Sequence, residues 1–374
     1  MWKYHMPVKI FLGFGTLGNI TDEMDEFNFV EKVMIITGKT SAEKYGHLDI
    51  LLSALKGRKV KLYNRVDSNP DIALFNEAAK EVRKYKPDVI IGLGGGSVLD
   101  VGKAAALLAT NNLSIEKCLK DRSKIRSLPV PFIAVPTTSG TGSELTPWST
   151  VWDYKKKKKM SLEHPFMYAE AAVVDPYLTM TMPSDITAST GLDALSHAVE
   201  ALFSPNLSPV SAYYALLSIE LITNNFNRVL DKRSDRTARY DMSMASLFAG
   251  LAFSNTKTGA SHALSYSLTM NYNIPHGVAS ALTLPALVKL NYGADKQIAG
   301  HIFKSMNVKT ASQAAEKIRK FIKKGGFSYR LRDYGVTEKG IKELIKDALS
   351  TDRIKNNVKR LTKSDINKIL KEVW

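Results

Sequence analysis

The sequence predicts the α/β class, with an N-terminal parallel-sheet domain over residues 1–180 and an all-helical domain over 181–374. Three observations predict it. Short β-branched runs alternate with helix-forming segments through the first half, as parallel crossovers require. Two of those runs end in glycine-rich turns. Beyond "AAVVDPYLTMTMPSD" (171–185) the apolar residues recur at period 3.6 with little strand signal, and Pro176 and Pro183 flank the change. A chain of 374 residues, 44% hydrophobic, is long enough to bury two cores.

Taken in order, "KVMIITG" (32–38), "VKLYNRV" (60–66), "DVIIGLGGGS" (88–97) and "PFIAVPTTSGTGSE" (131–144) read as strands, the last two running into turns. Between them "NPDIALFNEAAKEVRKYK" (69–86) and "SVLDVGKAAALLAT" (97–110) carry helical periodicity and good helix formers. The lysine run at 155–159 reads as a solvated turn between two strands, because five like charges repel one another and must face water. In the second half "ITASTGLDALSHAVEALF", "SAYYALLSIELITNNFNRVL" and "RYDMSMASLFAGLAFSN" are predicted helices.

Two glycine clusters compete for a phosphate-binding role. "GFGTLG", through Gly13, Gly15 and Gly18, matches the G-x-G-x-x-G pattern, but no convincing strand–helix–strand unit surrounds it. In "GLGGGSVLDVGKAAAL" a strand runs directly into Gly94, Gly95 and Gly96 and then into a helix that starts near Ser97. Backbone amides there can approach a diphosphate closely, and the helix directs its positive end at the same charge. "PTTSGTGSE" repeats that logic with Thr137, Thr138 and Thr141, and ligands gather at this edge of an open sheet.

The net charge of +16 raises the question of nucleic acid. No aromatic residues interleave with the basic ones as a stacking platform requires, and the C-terminal lysines fall on the wet faces of predicted helices. The charge is better matched to an anionic cofactor or substrate. The single cysteine, Cys118, excludes an internal disulfide and a cysteine-based zinc site, so any metal must be held by histidine and carboxylate. With neither a signal-like leader nor an apolar run of membrane-spanning length, the expected location is the cytoplasm, away from membranes.

Asp193 and His197, four residues apart in "GLDALSHAVE", project from one face of a predicted helix. Two more histidines, His262 and His276, lie fourteen residues apart in "TGASHALSYSLTMNYNIPHGVASALTLP", the second held between Pro275 and Gly277. Together they offer one carboxylate and three imidazoles, a donor set that suits Fe(II) or Zn(II) with a further position for water or a substrate oxygen.

Strand–"GGGS"–helix, "PTTSGTGSE", G-x-D-A-x-x-H-A-x-E, and a histidine fourteen residues before that of "PHG", in this order, resemble the iron-containing (group III) alcohol dehydrogenases of the dehydroquinate synthase-like superfamily. The resemblance implies a Rossmann-like N-terminal domain, a helical C-terminal domain, an active site between them and assembly as a homodimer. It implies metal ligation by Asp193, His197, His262 and His276, with Fe2+ expected and Zn2+ an alternative. It places the cofactor diphosphate at Gly94, Gly95, Gly96 and Ser97, with Thr137, Thr138 and Thr141 lining the nucleotide, Asn69 near its ribose and Lys159 in contact with it. The implied reaction is hydride transfer between a nicotinamide and a small-molecule aldehyde or alcohol. The superfamily also holds glycerol dehydrogenase-like polyol enzymes and dehydroquinate synthase-like lyases.

Two departures from the family pattern sharpen the expectation. NAD-preferring members carry an aspartate at the end of the second strand, where this chain has Gly38 followed by Lys39. Losing a carboxylate that would repel a 2′-phosphate, beside a cation, favours NADP(H) over NAD(H). Many members carry a histidine four residues after the one matching His262, where this chain has Tyr266. Tyr266, with His276, is expected at the catalytic centre as a hydrogen-bond donor or proton relay, since a phenol is a poor base at neutral pH. The "SHALSY…IPHG" wording resembles members acting on phosphonoacetaldehyde or related anionic aldehydes.

Overall fold

The computed structural model describes residues 1–24, 30–156 and 158–374. Eight strands form among them: β1 (Lys9–Leu12), β2 (Lys32–Gly38), β3 (Lys59–Val66), β4 (Val89–Gly94), β5 (Phe132–Pro136), β6 (Trp148–Asp153), β7 (Lys158–Glu163) and β8 (Ala171–Val174). Six make one sheet in the order β1-β8-β5-β4-β2-β3, every neighbouring pair parallel. Buried on both faces, β4 and β5 read as continuous apolar runs, because a parallel sheet leaves neither face to water. β3 pairs on one side of β2 and β4 on the other, so the strand order reverses between β2 and β4. At such a switch point, ligands of open α/β sheets bind beyond the carboxyl ends of the strands. Here those ends are Gly38 and Gly94.

The chain forms two compact units, one of residues 6–138 and 143–181, the other of 1–5, 139–142 and 182–374. The first holds the sheet and the antiparallel hairpin β6–β7. The lysine run lies at that hairpin's turn: Lys155, Lys156 and Lys158 are exposed, Lys159 faces Trp152 across the ladder, and Lys157 lies outside the described residues. In the second unit the Ser184–Leu202 helix is buried over 15 of its 19 residues. A helix enclosed on nearly every side is a central element, and any ionisable group on it must find partners inside the protein. Asp193, His197 and Glu200 are three such groups. No helix among the described residues is long and apolar enough to cross a membrane.

Candidate metal centre and nucleotide turns

In the helical unit, Asp193, His262 and His276 each bring one ligand atom to within 4.8 Å of the others. Asp193 comes from the central helix, His262 from the first turn of the Ala260–Tyr272 helix, and His276 opens the His276–Tyr292 helix behind Pro275. Gly277 explains how the last of these comes so near. A Cβ there would lie 1.9 Å from the Ser189 carbonyl oxygen, so only glycine permits the His276 backbone to approach the central helix. His197, the fourth residue of the expected set, lies flat between two rings, 4.4 Å from His262 and 4.0 Å from Phe253.

Glu200, three residues beyond His197, is the last letter of the G-x-D-A-x-x-H-A-x-E pattern and has a role that spacing alone does not reveal. Its carboxylate accepts hydrogen bonds from the backbone amides of Gly259 (2.9 Å), Ser261 (2.5 Å) and His262 (3.2 Å). It also takes the His262 Nδ1 hydrogen, at 2.5 Å. The Ala260–Tyr272 helix has no side-chain cap of its own, so a carboxylate from another helix satisfies its first amides and orients its first functional ring. With Nδ1 bonded to Glu200, His262 turns its buried Nε2 toward Asp193 Oδ1, 3.4 Å away, and Nε2 is the atom that a cation replacing its proton would take. His197 Nδ1 is buried with no hydrogen-bond partner, a rare condition for such a nitrogen.

The electrostatics point the same way. Burial opposes ionisation of Asp193, yet His197, His262 and His276 hold its pKa below the usual carboxylate range. Burial, with His262 nearby, pushes His197 down to about 4, so it is neutral at physiological pH, as a ligand must be. Burial works against a charged His262, but Glu200 and Asp193 raise it to about 9. A carboxylate–imidazole–carboxylate chain of this kind holds a proton where a divalent cation would otherwise sit. The buried oxygen and imidazole donors, with one imidazole oriented through its remote nitrogen, fit a divalent ion of the iron or zinc type. Tyr266 is one turn past His262, its ring 6.2 Å from that of His276 and inclined by 25°. Burial raises the phenol's pKa, with Arg353 and a hydrogen bond with Thr258 pulling it back, so at neutral pH it keeps its proton and donates.

In the sheet unit the two glycine- and threonine-rich turns are adjacent. Gly94 and Pro136 stand opposite one another in register, and the Thr137 amide donates to the Gly94 carbonyl (3.0 Å). Gly94 admits no side chain, since a Cβ would meet Val98 Cγ2 at 2.6 Å. The Gly96–Asn111 helix starts with Gly95 as N-cap, leaving its first amides without a side-chain cap, the arrangement that receives an anion. Asn69, at φ 55, donates its amide to Ser97 Oγ (3.3 Å), and its carbonyl accepts from Tyr154 Oη (3.0 Å). Tyr154 stacks at 6.5 Å on Trp152, whose ring lies 5.5 Å from Lys159 Nζ. Asn69, Ser97 and Lys159 thus share one chain of contacts. Thr141 lies in Ser139–Gly142, which belongs to the helical unit, where the Gly140 backbone hydrogen-bonds His197. Gly38 ends β2 opposite Val66, and Lys39 is paired with Asp67 at 2.5 Å.

The "GFGTLG" turn is occupied. The amides of Gly15 (3.0 Å) and Leu17 (3.3 Å) both donate to Asp175 Oδ2, and the Gly13 amide donates to the Val174 carbonyl. A buried carboxylate already fills the place an incoming phosphate would take.

The chain matches the iron-containing alcohol dehydrogenase family over residues 7–176 and the C-terminal domain of the Fe-containing alcohol dehydrogenase family over 187–374. It is 33% identical over 361 residues to long-chain-alcohol dehydrogenase 1 of Geobacillus thermodenitrificans (strain NG80-2), covering 93% of this chain and 90% of that one. Against the NADPH-dependent butanol dehydrogenase of Clostridium saccharobutylicum the identity is 31%, covering 100% of this chain and 98% of the relative. Among solved structures, sulfoacetaldehyde reductase from Bifidobacterium kashiwanohense in complex with NAD+ superposes with a TM-score of 0.94 at 30% identity, covering 100% of this chain and 98% of that one.

Proposed function

This chain belongs to the iron-containing alcohol dehydrogenase family, and on that premise we propose that it reduces a small anionic aldehyde to its alcohol with NADPH, in a reaction that depends on a divalent cation, Fe2+ or Zn2+. The observation that carries the reading is the convergence of Asp193, His262 and His276 on one buried point, with Glu200 orienting His262. When bound, a cation there supplies Lewis-acid polarisation of the aldehyde oxygen, and the nicotinamide supplies hydride. The chain's own part is to bind and orient. Asp193 and the imidazoles hold the ion, the Gly94–Ser97 turn receives the diphosphate, and Lys159 and Asn69 flank the nucleotide. The Tyr266 hydroxyl, protonated at neutral pH, donates to the developing alkoxide.

The anionic class is supported by three features. The formal charge is +16, Arg353 acts electrostatically on Tyr266, and a structural neighbour of 0.94 TM-score is a reductase of a sulfonated aldehyde. The test is oxidation of NADPH by the purified chain over a panel of aldehydes, neutral, phosphonated and sulfonated, before and after chelation. The expected result is turnover fastest with the anionic members, lost on chelation and restored by Fe2+ or Zn2+. Full activity in metal-stripped protein would overturn the metal assignment, and product formation without net NADPH consumption would point to a lyase instead.

Support for NADPH rests on Gly38 more than on Lys39, whose charge is shared with Asp67. A Cβ at Gly38 would meet only ordinary contacts, Val66 O at 3.5 Å and Ser41 Oγ at 3.7 Å, so a side chain fits there without strain. Gly38→Asp is therefore expected to lower the ratio of kcat/KM for NADPH over NADH by about tenfold or more, through like-charge repulsion of the 2′-phosphate. A wild-type enzyme that already prefers NADH would refute the assignment.

A further inference from the structure

The Gly96–Asn111 helix carries a lysine that no part of the proposed chemistry uses, and that lysine is completely enclosed. The Lys103 side chain has 0% exposure. Its Nζ donates to the carbonyls of Ser143 (2.7 Å), Trp148 (2.7 Å) and Thr146 (3.1 Å), and lies 3.2 Å from Thr146 Oγ1 and 3.5 Å from Asp100 Oδ1. Five oxygens around one nitrogen resemble the coordination shell of a monovalent cation, here tethered to a helix. Asp100 completes the node. Its Oδ1 accepts from Ser143 Oγ (2.5 Å), its Oδ2 from the Thr150 amide (2.7 Å), and its backbone carbonyl from Ser149 Oγ (2.7 Å).

Apart from the Lys103–Asp100 contact, every one of these bonds runs from the helix that begins at the Gly94–Ser97 turn to the segment 143–150, which leads into the β6–β7 hairpin. That hairpin bears Trp152 and Lys159 and touches Pro70 and Asp71 through Trp152. Buried ion pairs are weak sources of stability, since well-packed apolar residues often do as well or better. What an ammonium in an oxygen cage provides that an apolar side chain cannot is a single allowed position for each carbonyl it binds.

We propose that Lys103 is a positioning residue for the nicotinamide nucleotide: with Asp100 it fixes the β6–β7 hairpin against the diphosphate turn, so that Lys159 and the Gly94–Ser97 amides meet the cofactor in one geometry. The inference rests on the nucleotide reading above, and wild-type binding of NADPH is the control that separates the two.

The experiment measures NADPH affinity by quenching of protein fluorescence, to which Trp148 and Trp152 in the hairpin contribute, with thermal melting in parallel. Lys103→Ala removes all of the side chain beyond Cβ, which is n-propylammonium in size and charge. The variant is expected to bind NADPH about tenfold more weakly or worse, with added n-propylammonium restoring affinity and n-propanol failing to do so. Wild-type affinity in the variant, or a loss that n-propylammonium does not repair, would overturn the proposal. If Lys103→Ala does not fold, Ser143→Ala decides. It removes the hydroxyl that bonds Asp100 while leaving the Lys103 ammonium in place, and is expected to weaken NADPH binding at an unchanged melting temperature, whereas unchanged affinity would overturn the proposal. A wild-type chain that binds neither NADPH nor NADH would overturn the nucleotide reading itself, and this inference with it.

Discussion

Replacing His276 with alanine is expected to strip the chain of bound divalent metal and to lower kcat for aldehyde reduction by about 10³-fold, while both units stay folded. The magnitude follows from the several kcal/mol that a Lewis acid contributes to a developing alkoxide, at roughly 1.4 kcal/mol per tenfold in rate. The fold should survive for two reasons. His276 is only partly buried, at the first position of its helix, so removing its ring opens no closed cavity. The remaining polar groups also have partners without it, because His262 lies between Asp193 and Glu200, and Ser280 Oγ lies 3.4 Å from Asp193 Oδ1. The backbone approach that sets the site depends on Gly277, which the substitution leaves alone. Metal content by elemental analysis, turnover and thermal melting together check the prediction. Retained metal with lost turnover would make His276 a proton-handling group rather than a ligand, and a collapsed melting transition would make its role structural.

Much of this architecture was legible because its signals are local. "KVMIITG" forms β2 over the predicted residues, since a strand buried on both faces must be apolar along its whole length. The helix predicted at 97–110 runs from Gly96 to Asn111 for a similar reason: good helix formers follow a glycine turn that can open it. What escaped was set by partners far along the chain. Met1–His5 packs with the helical unit because Tyr4 Oη donates to the Leu251 carbonyl and the His5 amide to Asn255 Oδ1, roughly 250 residues away. Ser139–Gly142 leaves the sheet unit, carrying Thr141 with it, though nothing in "PTTSGTGSE" marks a break after Thr138. β1 and β8 are four residues each, too short for a period to register. The G-x-G-x-x-G match could be discounted only on context, and the physical reason lies at Asp175, 160 positions beyond Gly15. Asp100 and Lys103 stood in plain view in "SVLDVGK", three apart on one helix face, but a buried pair cannot be told from an exposed one by spacing alone.

Glu200 is the residue whose role the sequence came nearest to revealing, and replacing it carries the second large effect. Glu200→Gln is expected to weaken binding of Fe2+ or Zn2+ by about 10- to 100-fold, the usual consequence of losing the outer partner of a ligating histidine. Four donors converge on this carboxylate, three backbone amides and His262 Nδ1. Glutamine keeps one acceptor oxygen and turns an NH2 toward donors it cannot bond, so the His262 ring loses either its orientation or the tautomer that leaves Nε2 as the ligand atom. Charge acts in the same direction. Asp193 and Glu200 together balance a divalent ion, and removing one leaves a buried site with excess positive charge once the metal enters. Because Glu200 works through His262 and touches no reacting atom, kcat at saturating metal should return to within about tenfold of wild type. Competition against a chelator of known affinity gives the metal dissociation constant, and a titration of activity with metal gives the recovery. Unchanged metal affinity would sink the positioning role. Activity that stays low at saturating metal would place Glu200 in the chemistry itself.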